Sequence, residues 1–120
     1  FNYDEVKKIN PNKTKNGSYK QMRDFLDFIE LPIVQGKERL RGDNGRALHP
    51  TQKPEKLLEI IIKASSNEND VVLDPFLGTG TTSFVAQKLH RNWIGIEQNI
   101  EYVKIAQKRL ESLNNELCLI

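Results

Sequence analysis

The sequence holds one cysteine, Cys118, and two histidines, His49 and His90, among 120 residues. One thiol cannot close an internal disulfide, and ligands so few and so far apart offer no zinc-binding spacing. A reducing compartment, the cytoplasm, is therefore expected. No apolar run approaches the ~20 residues of a membrane-spanning helix, and no secretion signal is visible, so no membrane partner is expected. The only methionine is Met22 and the first residue is Phe1, so a fragment, a processed piece or a chain whose disordered start is left out is expected. A strong charge of either sign is also lacking, since the formal net charge is +2. That value alone excludes no partner.

The distribution of charge says more. Residues 1–53 carry eleven Lys and Arg against seven Asp and Glu, whereas residues 54–120 carry seven against nine. A polyanion would be met by the N-terminal part, although a solvated basic surface explains that surplus as well. The length suits one compact domain, and an apolar share of 38% is lean for a self-contained one.

Up to about residue 20 the chain is polar and irregular. A short apolar cluster of Phe25, Leu26, Phe28, Ile29 and Leu31 follows, stopped by Pro32. Residues 35–48 contain three glycines and no apolar period, and read as a loop. After Pro54 the character changes. Pro54 suits a first helical turn and Glu55 suits its dipole; Leu57, Leu58, Ile61 and Ile62 recur at helical spacing, so residues 55–66 form an amphipathic helix. A turn at 67–70 leads to a wholly apolar strand, 71–73, of the kind buried on both faces. A second helix spans about 80–89, a second strand 93–97, and a third helix about 100–113 with Tyr102, Val103, Ala106 and Leu110 on one face. This alternation predicts an α/β fold with a parallel sheet and flanking helices. Two strands make a poor sheet, so its remainder is expected from outside this sequence.

Between the first strand and the second helix lies Asp-Pro-Phe-Leu-Gly-Thr-Gly-Thr-Thr, residues 74–82. Gly78 and Gly80 permit tight turning and close backbone approach, and the helix behind them offers its amide groups. A nucleoside-triphosphate loop would need a lysine that this one lacks. The dinucleotide pattern wants a third glycine where Ser83 stands, a weak match. Asp74 separates the remaining candidates. A carboxylate at the strand tip repels a pyrophosphate and suits a ligand with an ammonium group and a sulfonium cation, which describes S-adenosylmethionine. Glu97 follows 23 residues later, about the interval at which an acidic residue accepts ribose hydroxyls in Rossmann-type sites. Singly, Asp74 also reads as a turn residue and Glu97 as a solvated strand end; the pair at this spacing favours the ligand.

Three motifs then stand in order: His-Pro-Thr-Gln-Lys-Pro at 49–54, the loop at 74–82, and Gly-Ile-Glu at 95–97. Over residues 35–113 the chain resembles the beta class of DNA amino-methyltransferases, and residues 30–40 are similar to the adenine-N6 members. The resemblance implies a Rossmann-like methyltransferase fold, present in part, with S-adenosylmethionine as cofactor. It implies that Asp74, Phe76, Gly78 and Gly80 wrap the methionine part and ribose, and that Thr79, Thr81 and Thr82 offer donors. Glu97 would take the ribose hydroxyls, and Thr51 and Lys53 would lie near the cofactor carboxylate, with His49 beside them. Stiff prolines, Pro50 and Pro54, bracket that segment. His49 also reads as a loop histidine and Phe76 as a packing residue, while Trp93 and Ile96 read as sheet core.

The same class uses an Asp/Asn/Ser-Pro-Pro-aromatic tetrapeptide to hold and stack the flipped base. No Pro-Pro occurs here, so no catalytic residue is assigned. The expected domains are 1–34, a tail of the target-recognition or linker region, and 35–120, the cofactor-binding part. Expected partners are double-stranded DNA and the remaining N-terminal part of the enzyme or a complementary chain, with room for a homodimer. The competing reading is a non-catalytic nucleotide- or DNA-binding module that kept the cofactor loop; a dehydrogenase has no use for Asp74 or for residues 49–54.

Overall fold

The computed structural model describes residues 1, 2, 4, 5, 8, 38–46 and 52–118. Among the described residues five elements follow one another: helix α1 (Glu55–Ser65), strand β1 (Val71–Asp74), helix α2 (Thr81–Lys88), strand β2 (Asn92–Gly95) and helix α3 (Ile100–Cys118). The α/β alternation read from the sequence is present. The apolar cluster at 25–31 lies outside the described residues.

Helix α1 starts behind Pro54, whose extended backbone (φ −64°, ψ 135°) holds the N-cap position instead of the first turn. Its far end is closed by Arg91, which donates from Nη2 to the Ser66 carbonyl at 2.8 Å and from Nε to the Ser66 hydroxyl at 3.0 Å. A guanidinium is well suited to orphan carbonyls at a helix C-terminus. Asn2 docks at the same end, donating its amide to the Ala64 carbonyl at 2.8 Å.

The strands pair in parallel, with Val71 opposite Asn92, Val72 opposite Trp93, Leu73 opposite Ile94 and Asp74 opposite Gly95. Helix α2 makes the crossover and packs against both strands and against α1 and α3. Its position explains why Ser83, Val85 and Ala86 are all buried. The core is the cluster of Ile62, Val85 and Ala86, with Val72, Phe84, Leu89 and Trp93 packed on it. Trp93 thus belongs to the core, as expected.

Three expectations need correction. Strand β1 is not buried on both faces: Val71 and Leu73 are each 61% exposed, and Ile94 and Ile96, expected in the core, are 55% and 56% exposed. Side chains alternate across a strand, and the described helices cover only the face of Val72 and Trp93. Second, β2 runs from Asn92 to Gly95, so Glu97 lies beyond its pairing and not within it. Third, α3 continues to Cys118, because no glycine or proline interrupts its helical sequence. On α1 the deepest residues are Ile60 and Ile62, whereas Ile61 turns to the edge of a cleft.

Candidate functional site

A cleft of about 570 Å³ opens at the carboxyl ends of the strands, where parallel sheets bind ligands. Its floor is the loop from Asp74 to α2. Asp74 directs both oxygens along that loop: Oδ1 accepts the Phe76 amide at 3.0 Å and Oδ2 accepts the Thr82 hydroxyl at 2.5 Å. The turn reading of Asp74 is therefore correct, and the same bonds fix where its charge sits. The loop is tied to the second strand by backbone bonds, Leu77 amide to Ile96 carbonyl and Ile96 amide to Asp74 carbonyl, each 2.9 Å.

Glu97 is bound from two sides. Its Oε2 accepts the Gly78 amide at 2.8 Å and its Oε1 accepts the Asn99 amide at 2.9 Å. Two amides orient the carboxylate toward the cleft rim and hold the glycine loop against the strand end. It is not a loosely solvated strand end.

The opposite wall comes from residues 52–61. Gln52 is 8% exposed and spends its amide on the preceding segment, accepting from the Leu40 amide at 2.9 Å and donating to the Glu38 carbonyl at 2.7 Å. A buried amide with both ends satisfied is a rigid joint. It leaves the exposed Lys53 at the cleft, beside Leu57, Leu58 and Ile61.

The structure thus brings Lys53, Asp74, Phe76, Gly78, Thr79, Thr81, Thr82 and Glu97 around one cleft. Phe76 is 88% exposed, which excludes the packing reading among the described residues. Gly80 does not line the cleft. It has φ +83°, and a Cβ there would fall 2.5 Å from that of Ala106, so its small size lets α3 approach the loop. Gly95 has a matching role, because a Cβ would meet the Leu77 side chain at 2.5 Å. His49 and Thr51 lie outside the described residues.

Two of the threonine hydroxyls expected as ligand donors are engaged internally. Thr82 donates to Asp74, and Thr81 donates to the Lys53 carbonyl at 3.5 Å. Two polar residues escaped the sequence reading. Gln52 lay inside a motif valued for its neighbours. Arg109 is a cation at helical spacing with Tyr102, Ala106 and Leu113, and a charge on an apolar stripe was its only signal. Burial pushes its pKa below the usual arginine range, offset in part by the charge of Glu55.

A wider cleft, about 720 Å³, lies at the other end of the strands and includes Lys63, Glu68, Lys88 and Arg91. Its lining residues Asn67, Glu68, His90 and Arg91 precede the strands, so it lies away from the strand tips. Among the described residues no group of three or more potential metal ligands occurs, and no helix is long and apolar enough to cross a membrane.

The comparisons with known proteins agree with this architecture. A family model described as DNA methylase, of the N6/N4 kind, matches residues 1–108. The type II methyltransferase M.HinfI of Haemophilus influenzae is 44% identical over 113 residues, which is 94% of this chain and 29% of that relative. The crystal structure of the M1.HpyAVI–SAM complex shares 53% identity with a TM-score of 0.50, covering 53% of this chain and 33% of that one. The cytosine-N4-specific PvuII DNA methyltransferase shares 39% identity with a TM-score of 0.50, covering 51% of this chain and 22% of that one. The fold is the α/β methyltransferase fold in part, and the chain spans between about a fifth and a third of the length of these relatives. The chain belongs to the N6/N4 DNA methylase family, the beta-class DNA amino-methyltransferases.

Proposed function

We propose that this chain forms the S-adenosylmethionine-binding portion of a site-specific DNA methyltransferase. The observation that carries the reading is the convergence of Asp74, Glu97, Phe76 and Lys53 on one cleft beside a glycine loop. The donor set fits the cofactor: two carboxylates suit an ammonium group and ribose hydroxyls, an open aromatic ring offers an adenine or sulfonium contact, and one lysine suits a carboxylate. The loop has no lysine for a triphosphate, and Asp74 opposes a pyrophosphate. The solved complex of the related M1.HpyAVI with SAM supports the same choice.

When bound, S-adenosylmethionine supplies an electrophilic methyl group on sulfur. The chain's own residues do the holding. Asp74, fixed by Phe76 and Thr82, presents negative charge at the strand tip. Glu97, fixed by two amides, accepts from hydroxyls. Thr51 and Lys53 belong with the carboxylate end, and His49 beside the cofactor. Gly78, Thr79, Gly80 and Thr81 shape the loop. None of these groups activates a base, so the acceptors and ring for a flipped nucleotide come from elsewhere in the enzyme.

The partners follow. Double-stranded DNA is the substrate, adenine N6 the favoured target on the resemblance of residues 30–40, and residues 1–34 the tail of the target-recognition region. The open sheet face of Val71, Leu73, Ile94 and Ile96 suits cover by the remaining N-terminal part of the enzyme or a complementary chain. Calorimetric titration of the chain with S-adenosylmethionine, S-adenosylhomocysteine and NAD tests the reading. Weak binding of the first two and none of NAD is expected; tighter binding of NAD overturns it.

A further inference from the structure

Arg109 lies on α3, one residue beyond the family match, and its side chain is 9% exposed. Nη1 donates to the Thr79 carbonyl and to the Thr81 hydroxyl, each at 3.1 Å. Nη2 donates to Glu55 Oε1 at 3.2 Å, and the guanidinium stands 5.1 Å from the Phe84 ring centroid. One planar group therefore touches α1, the glycine loop, and the start of α2. Through the Thr81 hydroxyl it also reaches the Lys53 carbonyl at 3.5 Å, on the other wall of the cleft.

We infer that Arg109 is a positioning residue for cofactor binding, locking Thr79 and Thr81 on either side of Gly80 so that both cleft walls keep one spacing. The inference rests on the S-adenosylmethionine reading above. Three observations carry it. Thr79 and Thr81 are 4% and 6% exposed, so the groups that Arg109 binds have little access to water as a substitute partner. Gly80 between them is in the left-handed region and gives no stiffness of its own. Burying a guanidinium for stability alone is a poor choice, since a well-packed apolar residue is often at least as stabilising. Arginine's rigid fork fits three acceptors held by three elements; a lysine ammonium on a flexible stem does not.

The experiment compares the chain with Arg109→Lys, Arg109→Met and Leu113→Val. The last weakens the same helix at a buried position one turn beyond Arg109. Three quantities are read: thermal midpoint, S-adenosylhomocysteine affinity by calorimetry, and exchange of the Gly78, Gly80 and Thr81 amides without ligand. Arg109→Lys should weaken affinity about tenfold and speed exchange of those amides by a similar factor. Its midpoint should fall no further than that of Leu113→Val, which should keep affinity within about twofold. Equal binding and exchange in Arg109→Lys and the parent overturns the inference. So does an affinity loss that simply follows the midpoint across variants. If Arg109→Met does not fold, the lysine variant and the control still decide. If the parent binds no S-adenosylhomocysteine, the cofactor reading fails, and the exchange rates still show whether Arg109 orders the loop.

Discussion

Glu97 Oε2 accepts a hydrogen bond from the Gly78 amide at 2.8 Å, so the acid beyond the second strand holds the loop that follows the first. The side chain proposed to bind ribose also shapes the floor beneath it. Glu97→Ala should weaken S-adenosylmethionine binding by about 1–3 kcal/mol, because a charge-assisted acceptor is lost. Glu97→Gln, which keeps an acceptor oxygen for Gly78, should fall between. An unchanged dissociation constant for the alanine variant returns Glu97 to a purely structural role.

Gly80 faces two independent objections to a side chain. Its φ is +83°, and an added Cβ would lie 2.5 Å from Ala106 Cβ and 3.0 Å from Ala106 Cα. Gly80→Ala should destabilise the fold by about 1–3 kcal/mol. Adding Ala106→Gly removes the nearer contact but not the backbone strain, so it should restore only part of the loss. Denaturant titration of both variants checks this; full recovery in the double variant would mean the strain is negligible.

Among the described residues one face of the sheet is open, and the proposed larger methyltransferase would cover it. Leu73 is 61% exposed, so Leu73→Ser in this chain should change stability by less than about 1 kcal/mol. In the complete methyltransferase the same change should remove about 2–4 kcal/mol, as expected for truncating a buried leucine. Equal small effects in both would show that the face stays wet.

Lys63 and Glu59 form an i, i+4 pair on α1 at 3.0 Å. Burial raises the Glu59 pKa, but the Lys63 hydrogen bond and nearby lysine charges outweigh it, so the carboxyl titrates below its ordinary 4.5. A folded-state pKa below the unfolded one gives stability that is complete above the unfolded value and lost as pH falls through the folded one. Glu59→Gln should remove about 0.3–0.5 kcal/mol near pH 7 and nothing near pH 2. A variant whose deficit grows on acidification would contradict that sign.

On its own the chain should transfer no labelled methyl group to mixed-sequence genomic DNA, because it contains no Pro-Pro-aromatic acceptor set for a flipped base. Supplying the remaining part of the enzyme should restore transfer, with N6-methyladenine as the product on nucleoside analysis. Methylation by the chain alone would place the catalytic residues within it.

Strand, glycine loop and helix were legible because each is a local signal: an apolar triplet at 71–73, glycines at 78 and 80, and helical spacing on either side. Asp74 and Glu97 were legible as a pair because the order of elements in a parallel sheet puts successive strand tips side by side. The sequence by itself determined the α/β order, the family and the acidic character of the cleft. Only the tertiary structure decided that Gly80 serves the approach of α3, that one face of the sheet is open among the described residues, and that the Thr81 and Thr82 hydroxyls are spent internally. It also decided that Arg109 joins three elements, 30 residues from Thr79 and 54 from Glu55. The reason is physical: local preferences depend on neighbours along the chain, whereas a buried guanidinium takes its acceptors from whichever elements packing brings within reach.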